Sequence, residues 1–266
     1  MIMSSLCLSG AILALLLAEA GVLGANLGAL APMTGFLSFL LSLPIAIVAL
    51  LFGSIALTRA SATEHRLGRR RTRAGMVLAL LVAAPIAFTI WRWWSMPYPA
   101  INDITTDYEN PPQFVDPPGL SAASMNYERA RLEPIQTRCY PKLGPLRLDE
   151  KPDDAFARVK AAADAAPLVG LQMTAQIPPE PGWSIVYVDP GTRTIEGVET
   201  SQLFHFRDDF VIQVRAGSDL NTSLVEMRSR SREGWGDFGV NYDRIREFFA
   251  VLEPGASRAA LRSQMK

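Results

Sequence analysis

Three apolar runs near the N-terminus constrain this chain more than anything else in it. Ser5 to Leu30, Thr34 to Leu57 and Ala74 to Trp94 are each long enough to cross a bilayer, which takes about 20 helical residues. Backbone inside hydrocarbon must satisfy its own hydrogen bonds, so the runs are expected as helices. Ala31 and Pro32 mark the turn between the first two. Pro44 and Pro85 lie within runs, where membrane helices tolerate them because neighbours take up the freed carbonyls. The first run starts without Lys or Arg and is too long for a simple signal peptide, so it reads as retained. The residues before Cys7 do not make a lipoprotein cleavage site.

Charge then orients the runs. The loop from Thr58 to Arg73 carries Arg59, Arg66, Arg69, Arg70, Arg71 and Arg73 against Glu64. Short loops rich in arginine stay in the cytoplasm. The expected topology therefore puts the N-terminus inside and everything after Trp94 outside, as in a bacterial inner-membrane protein with a periplasmic domain. Trp91, Trp93, Trp94 and Tyr98 fall where an outer aromatic belt belongs. Glu19 sits within the first run, where an ionised group costs on the order of 3 kcal/mol or more. It reads either as part of a proton or ion path, or as a protonated or hydrogen-bonded group facing Asn26, two turns along the same face. Gly24 and Gly28 form a small-xxx-small pair suited to close helix packing.

Up to Trp94 there are two acids, Glu19 and Glu64, and seven arginines, so the remainder holds 24 acids against 19 bases. An acidic domain of this kind is a poor nucleic-acid binder, which needs a basic face to neutralise phosphates. Cys7 and Cys139 are too far apart in character to bridge, and two isolated thiols cannot make a cysteine-pair zinc site. His65 and His205 are equally isolated. No metal and no cofactor is expected.

The polar part divides into a proline-rich stretch, 96–151, an α+β domain, 152–254, and a tail, 255–266, after a membrane region at 1–95. Nine prolines between Ser95 and Lys151, from Pro97 to Pro145, leave little room for regular helix or sheet. The stretch reads as an extended arm packing on the domain, with Asp103 and Asp107 in local turns or in a site, and a short helix over Ser124 to Arg131. Pro152, Asp153 and Asp154 open a helix with acids at its positive end. Phe156, Val159, Ala163 and Ala166 give that helix one buried stripe. Four strands follow: Trp183 to Val188, Thr194 to Phe206, Asp209 to Ala216 and Ser223 to Ser231. Asp189-Pro190-Gly191, Arg207-Asp208 and the stretch from Gly217 to Asn221 supply the turns. No crossover helix separates the strands, so an antiparallel meander is expected. A helix from about Asn241 to Leu252 closes the domain, with Ile245, Phe248, Phe249 and Leu252 on one face. The predicted class is α+β: three transmembrane helices, then a two-layer domain with a four-stranded sheet and helices on one face.

The fourth strand carries the chemistry. Side chains alternate along a strand, so Arg228, Arg230 and Arg232 project from one face, with Gln213 and Arg215 of the third strand beside them. Guanidinium groups on a rigid sheet suit carboxylate or phosphate. The plainer reading is an exposed face whose arginines pair with Glu226, Glu199 or Asp208. Gly234-Trp235-Gly236-Asp237-Phe238-Gly239 matches a dinucleotide fingerprint, but no parallel strand follows the helix. Its glycines fit a tight turn instead, with Asp237 or Asn241 capping the helix. Ser229 and Ser231 lie in no nucleophile elbow, and His205 is not tied to them. The candidate ligand-binding residues are Arg215, Arg228, Arg230, Arg232, Asp237, Asn241 and Arg244; no catalytic residue is assigned.

Several motifs fall in one order: Ile101-Asn102-Asp103-Ile104-Thr105-Thr106-Asp107, Pro112-Gln113-Phe114, Tyr140-Pro141, Gly182-Trp183, Ile195-Glu196, Asp208-Asp209, the stretch Arg228-Ser229-Arg230-Ser231-Arg232 through Asp237-Phe238-Gly239-Val240-Asn241, and Arg244-Ile245. Over roughly Ile101 to Leu252 the chain resembles domain-of-unknown-function family 1499, some of whose members carry membrane helices ahead of the domain. Glu226-Met227 stands where the pattern has Asp-Val, and Gly197 where it has Ala. The resemblance supports the architecture and implies no activity. Three functions remain open: a domain binding an anionic envelope component or a membrane-protein partner; an envelope enzyme using Asp103, Asp208 or Asp237 as acid, base or metal ligand; and an accessory subunit of a transport complex built around Glu19.

Overall fold

The computed structural model describes residues 2–59, 66–95, 101–115, 125–140, 143–169, 182–234 and 236–253. Two compact units emerge: Met1–Met96 with Leu203–His205, and Pro97–Gln202 with Phe206–Lys266. The first holds helices α1 (Ile2–Asn26), α2 (Pro32–Thr58) and α3 (Arg66–Trp94). All three are long and apolar enough to cross a membrane. The arginine-rich loop is shorter than its composition predicts, because α3 already starts at Arg66. Tyr98 lies outside the described residues, while Trp91 and Trp94 are exposed.

The helices meet through small residues. Ala11, Ala14, Ala18, Ala46, Ala49 and Ala79 are buried among them, with Ile86 from α3. The closest approach is between Gly21 and Gly35, where a Cβ on either would stand 2.5 Å from the other's carbonyl oxygen. That is tighter than any side chain permits, and in lipid, close backbone packing is a main source of helix association. The expected Gly24–Gly28 pair does not do this. Gly28 lies beyond the end of α1 with φ +69°, and Gly24 packs under Leu30. Glu19 does not face Asn26 in a hydrogen bond; it is exposed on α1, and the Asn26 amide donates to Val22 O at 2.9 Å.

The second unit is an antiparallel sheet with helices. Its strands are β1 (Asp103–Thr105), β2 (Leu146–Leu148), β3 (Gly182–Asp189), β4 (Thr194–Thr200), β5 (Arg207–Ala216) and β6 (Ser223–Ser231); its helices are α4 (Arg129–Cys139), α5 (Pro152–Val169) and α6 (Val240–Leu252). The four expected strands form the meander β6-β5-β4-β3. Six strands are present, because β1 and β2 both pair with β6, one after the other along its free edge. Three-residue strands carry too little periodicity to show in sequence, and prolines nearby hid them. The expected helix over Ser124 to Arg131 is displaced to Arg129–Cys139 and includes Pro134. Arg207 and Asp208, expected as a turn, open β5, and β4 stops at Thr200 rather than Phe206.

The edge at β1 is closed by a side chain. Gln136 of α4 is buried, accepts from Thr105 N at 3.2 Å and donates to Thr105 O at 2.5 Å. One amide thus stands in for a neighbouring strand and blunts an edge that would otherwise invite pairing. On one sheet face Ile104, Ile195, Phe210, Ile212, Val214, Val225 and Met227 pack with Phe156, Val159, Ile245 and Phe248 of α5 and α6. The stripe expected on α5 and the face expected on α6 are the ones buried.

Candidate functional site

Strand alternation places Glu226, Arg228 and Arg230 on the sheet face away from that core, as the sequence implies. They are not exposed there. Arg228 is fully buried, although it carries a long charged side chain. Its Nε and Nη2 hold the Asp103 carboxylate in two hydrogen bonds of 2.9 and 2.8 Å, and Nη2 also donates to Met125 O at 2.9 Å. The guanidinium carbon stands 5.1 Å from the Phe114 ring centre and 5.4 Å from that of Tyr127, within cation–π range. Burial, with the neighbouring Asp103 carboxylate second, pushes the Tyr127 phenol well above its ordinary range, so it stays neutral.

Arg230 approaches the same Asp103, its Nε 4.0 Å from Oδ2. Arg232 forks onto Asp209 at 2.8 and 2.6 Å, and the hydrogen bonds to that carboxylate raise the arginine's pKa. Three guanidiniums therefore share two carboxylates, Asp103 and Asp209. Nη1 of Arg228 and Nη1 of Arg230 are both buried and have no hydrogen-bond partner among the described residues. A buried donor left unmade is costly, and more so on a charged group.

Further along this face, Arg215 lies against Glu226 and Asp107, at 3.0 and 3.8 Å. Its Nε hydrogen is directed to Gln213 Oε1, also at 3.0 Å, so Glu226 has the charge beside it without the hydrogen bond. Burial pushes Glu226 up to about 7, with Asp107 adding to the rise and Arg215 opposing it. Arg215 Nη2 donates to Asn110 O at 2.8 Å, and the backbone N–H of Val115 donates to Glu196. Residues 107–115 are thus tied over the sheet by charged groups.

The other candidates lie on the core side. Arg244 of α6 is buried and uses every edge of its guanidinium: Glu199 at 2.5 Å, Asp208 at 2.6 Å, Ser229 Oγ at 2.6 Å and Asn241 Oδ1 at 2.5 Å. Burial opposes its charge, and Asp208 and Glu199 more than offset this, so its pKa is raised. Ser229 donates to Asn241 Oδ1 at 2.7 Å, and the Asn241 amide donates to Ser231 Oγ at 3.1 Å. Asp237 caps α6, accepting from the N–H groups of Gly239 at 2.9 Å and Asn241 at 2.8 Å, and burial pushes its carboxyl pKa up. Gly239 at the helix start has φ +85°, which accounts for one glycine of the false fingerprint.

The seven candidates are therefore not one constellation. Arg215, Arg228, Arg230 and Arg232 share the outer face; Arg244, Asn241 and Asp237 build a satisfied network under α6. The proposed enzyme carboxylates divide likewise, since Asp103 and Asp208 fall on opposite faces of the sheet. Among the described residues no group of three or more His, Cys, Asp or Glu side chains is placed to hold a metal. The pairing reading was right for Arg215 with Glu226, but Glu199 and Asp208 serve Arg244 instead. Phe114, Tyr127 and Asp209 were missed as parts of the arginine face; long-range contacts of this kind leave no periodic trace.

The class this defines is an antiparallel α+β domain with a buried arginine–carboxylate face, in a chain that also has three helices of membrane-crossing length. A family model, Protein of unknown function (DUF1499), matches residues 103–252, and the chain belongs to that family. No curated protein and no solved structure matches it.

Proposed function

We propose that this chain is a bacterial inner-membrane protein whose domain faces away from the cytoplasm and binds an anionic ligand through Arg228 and Arg230. The supporting observation is the pair of buried Nη1 groups that have no acceptor among the described residues, on a face where three guanidiniums meet two carboxylates. A carboxylate or phosphate oxygen would supply both the missing acceptor and the missing charge. Arg228 is held rigid by Asp103 and two aromatic rings, so it is preorganised. Arg230, partly exposed, is the group a ligand reaches first.

The test is calorimetric titration of the full-length chain in zwitterionic detergent, with inorganic phosphate and with phosphatidylglycerol micelles as separate probes. Binding of either, weakened at least about tenfold in Arg230→Gln, supports the reading; one charged hydrogen bond is worth about that much. Unchanged affinity in Arg230→Gln, or no heat from either probe, overturns it. Phosphate binding alone indicates a soluble anion; binding of the micelles alone indicates a headgroup. The arginines between Arg59 and Arg73 support the orientation. Cys139 is half-buried on α4, and it should react with a membrane-impermeant maleimide in cells whose outer envelope is permeabilised. Labelling that appears only after the inner membrane is broken refutes the topology.

A further inference from the structure

Glu19 is the one carboxylate within the membrane-crossing windows of this chain, and its own fold leaves it unserved. It is exposed on α1, and no described residue gives it a hydrogen bond or an ion pair. The face of α1 that packs on the other helices is Ser4, Cys7, Ala11, Ala14, Ala18, Gly21 and Ala25. Glu19 lies on a different stripe. Ser5, Ser9, Ile12, Leu16, Glu19 and Leu23 recur at alternating intervals of four and three, and all are exposed. That interval is the repeat on which two parallel helices keep contact along their length. Half of the stripe is polar, yet in a bilayer it would face lipid.

We propose that this stripe is the contact between α1 and α1 of a second copy of this chain. The chemistry of the stripe favours a second copy over a different protein. A parallel pair of identical helices brings the two Glu19 side chains to the same depth, where one carboxyl can donate a hydrogen bond to the other. Serine hydroxyls are donor and acceptor at once, so Ser5 and Ser9 also complement themselves. Interhelical hydrogen bonds of this kind hold membrane helices together where hydrophobicity cannot. A cationic partner would leave both serines without a stated role. The pairing leaves the interior packing of α1, α2 and α3 untouched, because the two faces of α1 share no residue.

The experiment uses the full-length chain in native membranes, in a Cys139→Ser background. Leu16→Cys, on the stripe, is oxidised with copper phenanthroline beside Leu81→Cys, an exposed position on α3. A disulfide-linked dimer from Leu16→Cys and little from Leu81→Cys is expected. Adding Glu19→Leu should lower the dimer yield about three- to tenfold, the scale of one interhelical hydrogen bond in lipid. Glu19→Gln, which keeps a donor and an acceptor, should retain it. Glu19 is exposed and lies off the buried face of α1, so neither change threatens folding of the three helices. The proposal is overturned if Leu16→Cys gives no dimer, if it crosslinks instead to a protein of different mass, or if Glu19→Leu leaves the yield unchanged.

Discussion

Replacing Arg228 with Met should loosen the whole β6 region, and the size of the effect follows from what is left behind. The substitution conserves most of the buried volume but removes three charge-assisted hydrogen bonds, two to Asp103 and one to Met125 O. Asp103, only 3 % exposed in the wild type, is then left with Arg230 at 4.0 Å as its remaining ion-pair partner among the described residues. Stranding one partner of a buried pair costs about 3–5 kcal/mol. Removing both partners, as in Arg228→Met with Asp103→Leu, strands nothing and should recover most of that loss. A coupling of at least about 2 kcal/mol between the two sites is expected. Hydrogen exchange of the full-length chain in detergent reads this locally: amides of residues 223–231 should exchange about a hundredfold faster in Arg228→Met and revert toward wild type in the double variant. Exchange within threefold of wild type in Arg228→Met would refute the claim that this pair holds the face together. A double variant no better than the single would show that Asp103 is not the partner that matters.

Glu226 gives a pH signature. Its folded pKa, about 7, lies above its ordinary 4.5, so the folded form holds the proton more tightly. The resulting stability is full below about pH 4.5 and is lost as pH rises toward 7, by up to about 3 kcal/mol. Protection of residues 223–231, corrected for intrinsic exchange, should fall between pH 5 and 8 in wild type and stay level in Glu226→Gln. Gly197→Ala places a Cβ 2.1 Å from the Phe210 ring and 2.5 Å from Ser184 O, and should cost about 1–3 kcal/mol in thermal unfolding of the full-length chain. Arg244→Met strands Asp208 and Glu199 together and should cost about 3–5 kcal/mol by the same assay, with no change in anion binding on the opposite sheet face.

The parts of the fold legible in sequence are those with a period. Apolar runs of membrane length, the α5 stripe and the alternation of β5 and β6 each repeat a local rule many times, and each stands in the structure. What was illegible is single and long-range. β1 exists because β6 has a free edge and Gln136 closes its far side, and neither fact is local to Asp103–Thr105. The glycine pair misread as Gly24 and Gly28 shows the same limit. Spacing marks a small-residue face, but which glycine meets a partner depends on where α1 ends.

The arginine ladder was legible in direction and illegible in burial, for one physical reason. Alternation decides which face a side chain takes; it says nothing of what covers that face. A ladder of three arginines in five residues reads as solvated, because an uncompensated guanidinium is too costly to bury. Here the compensation comes from Asp103, more than a hundred residues earlier, and from Asp209 one strand away. Those two carboxylates do not balance the three arginines, and the surplus falls on two Nη1 groups for which no described residue supplies an acceptor. In a fold that satisfies Arg244 at every edge, that imbalance is what supports the proposal that this face receives an anion.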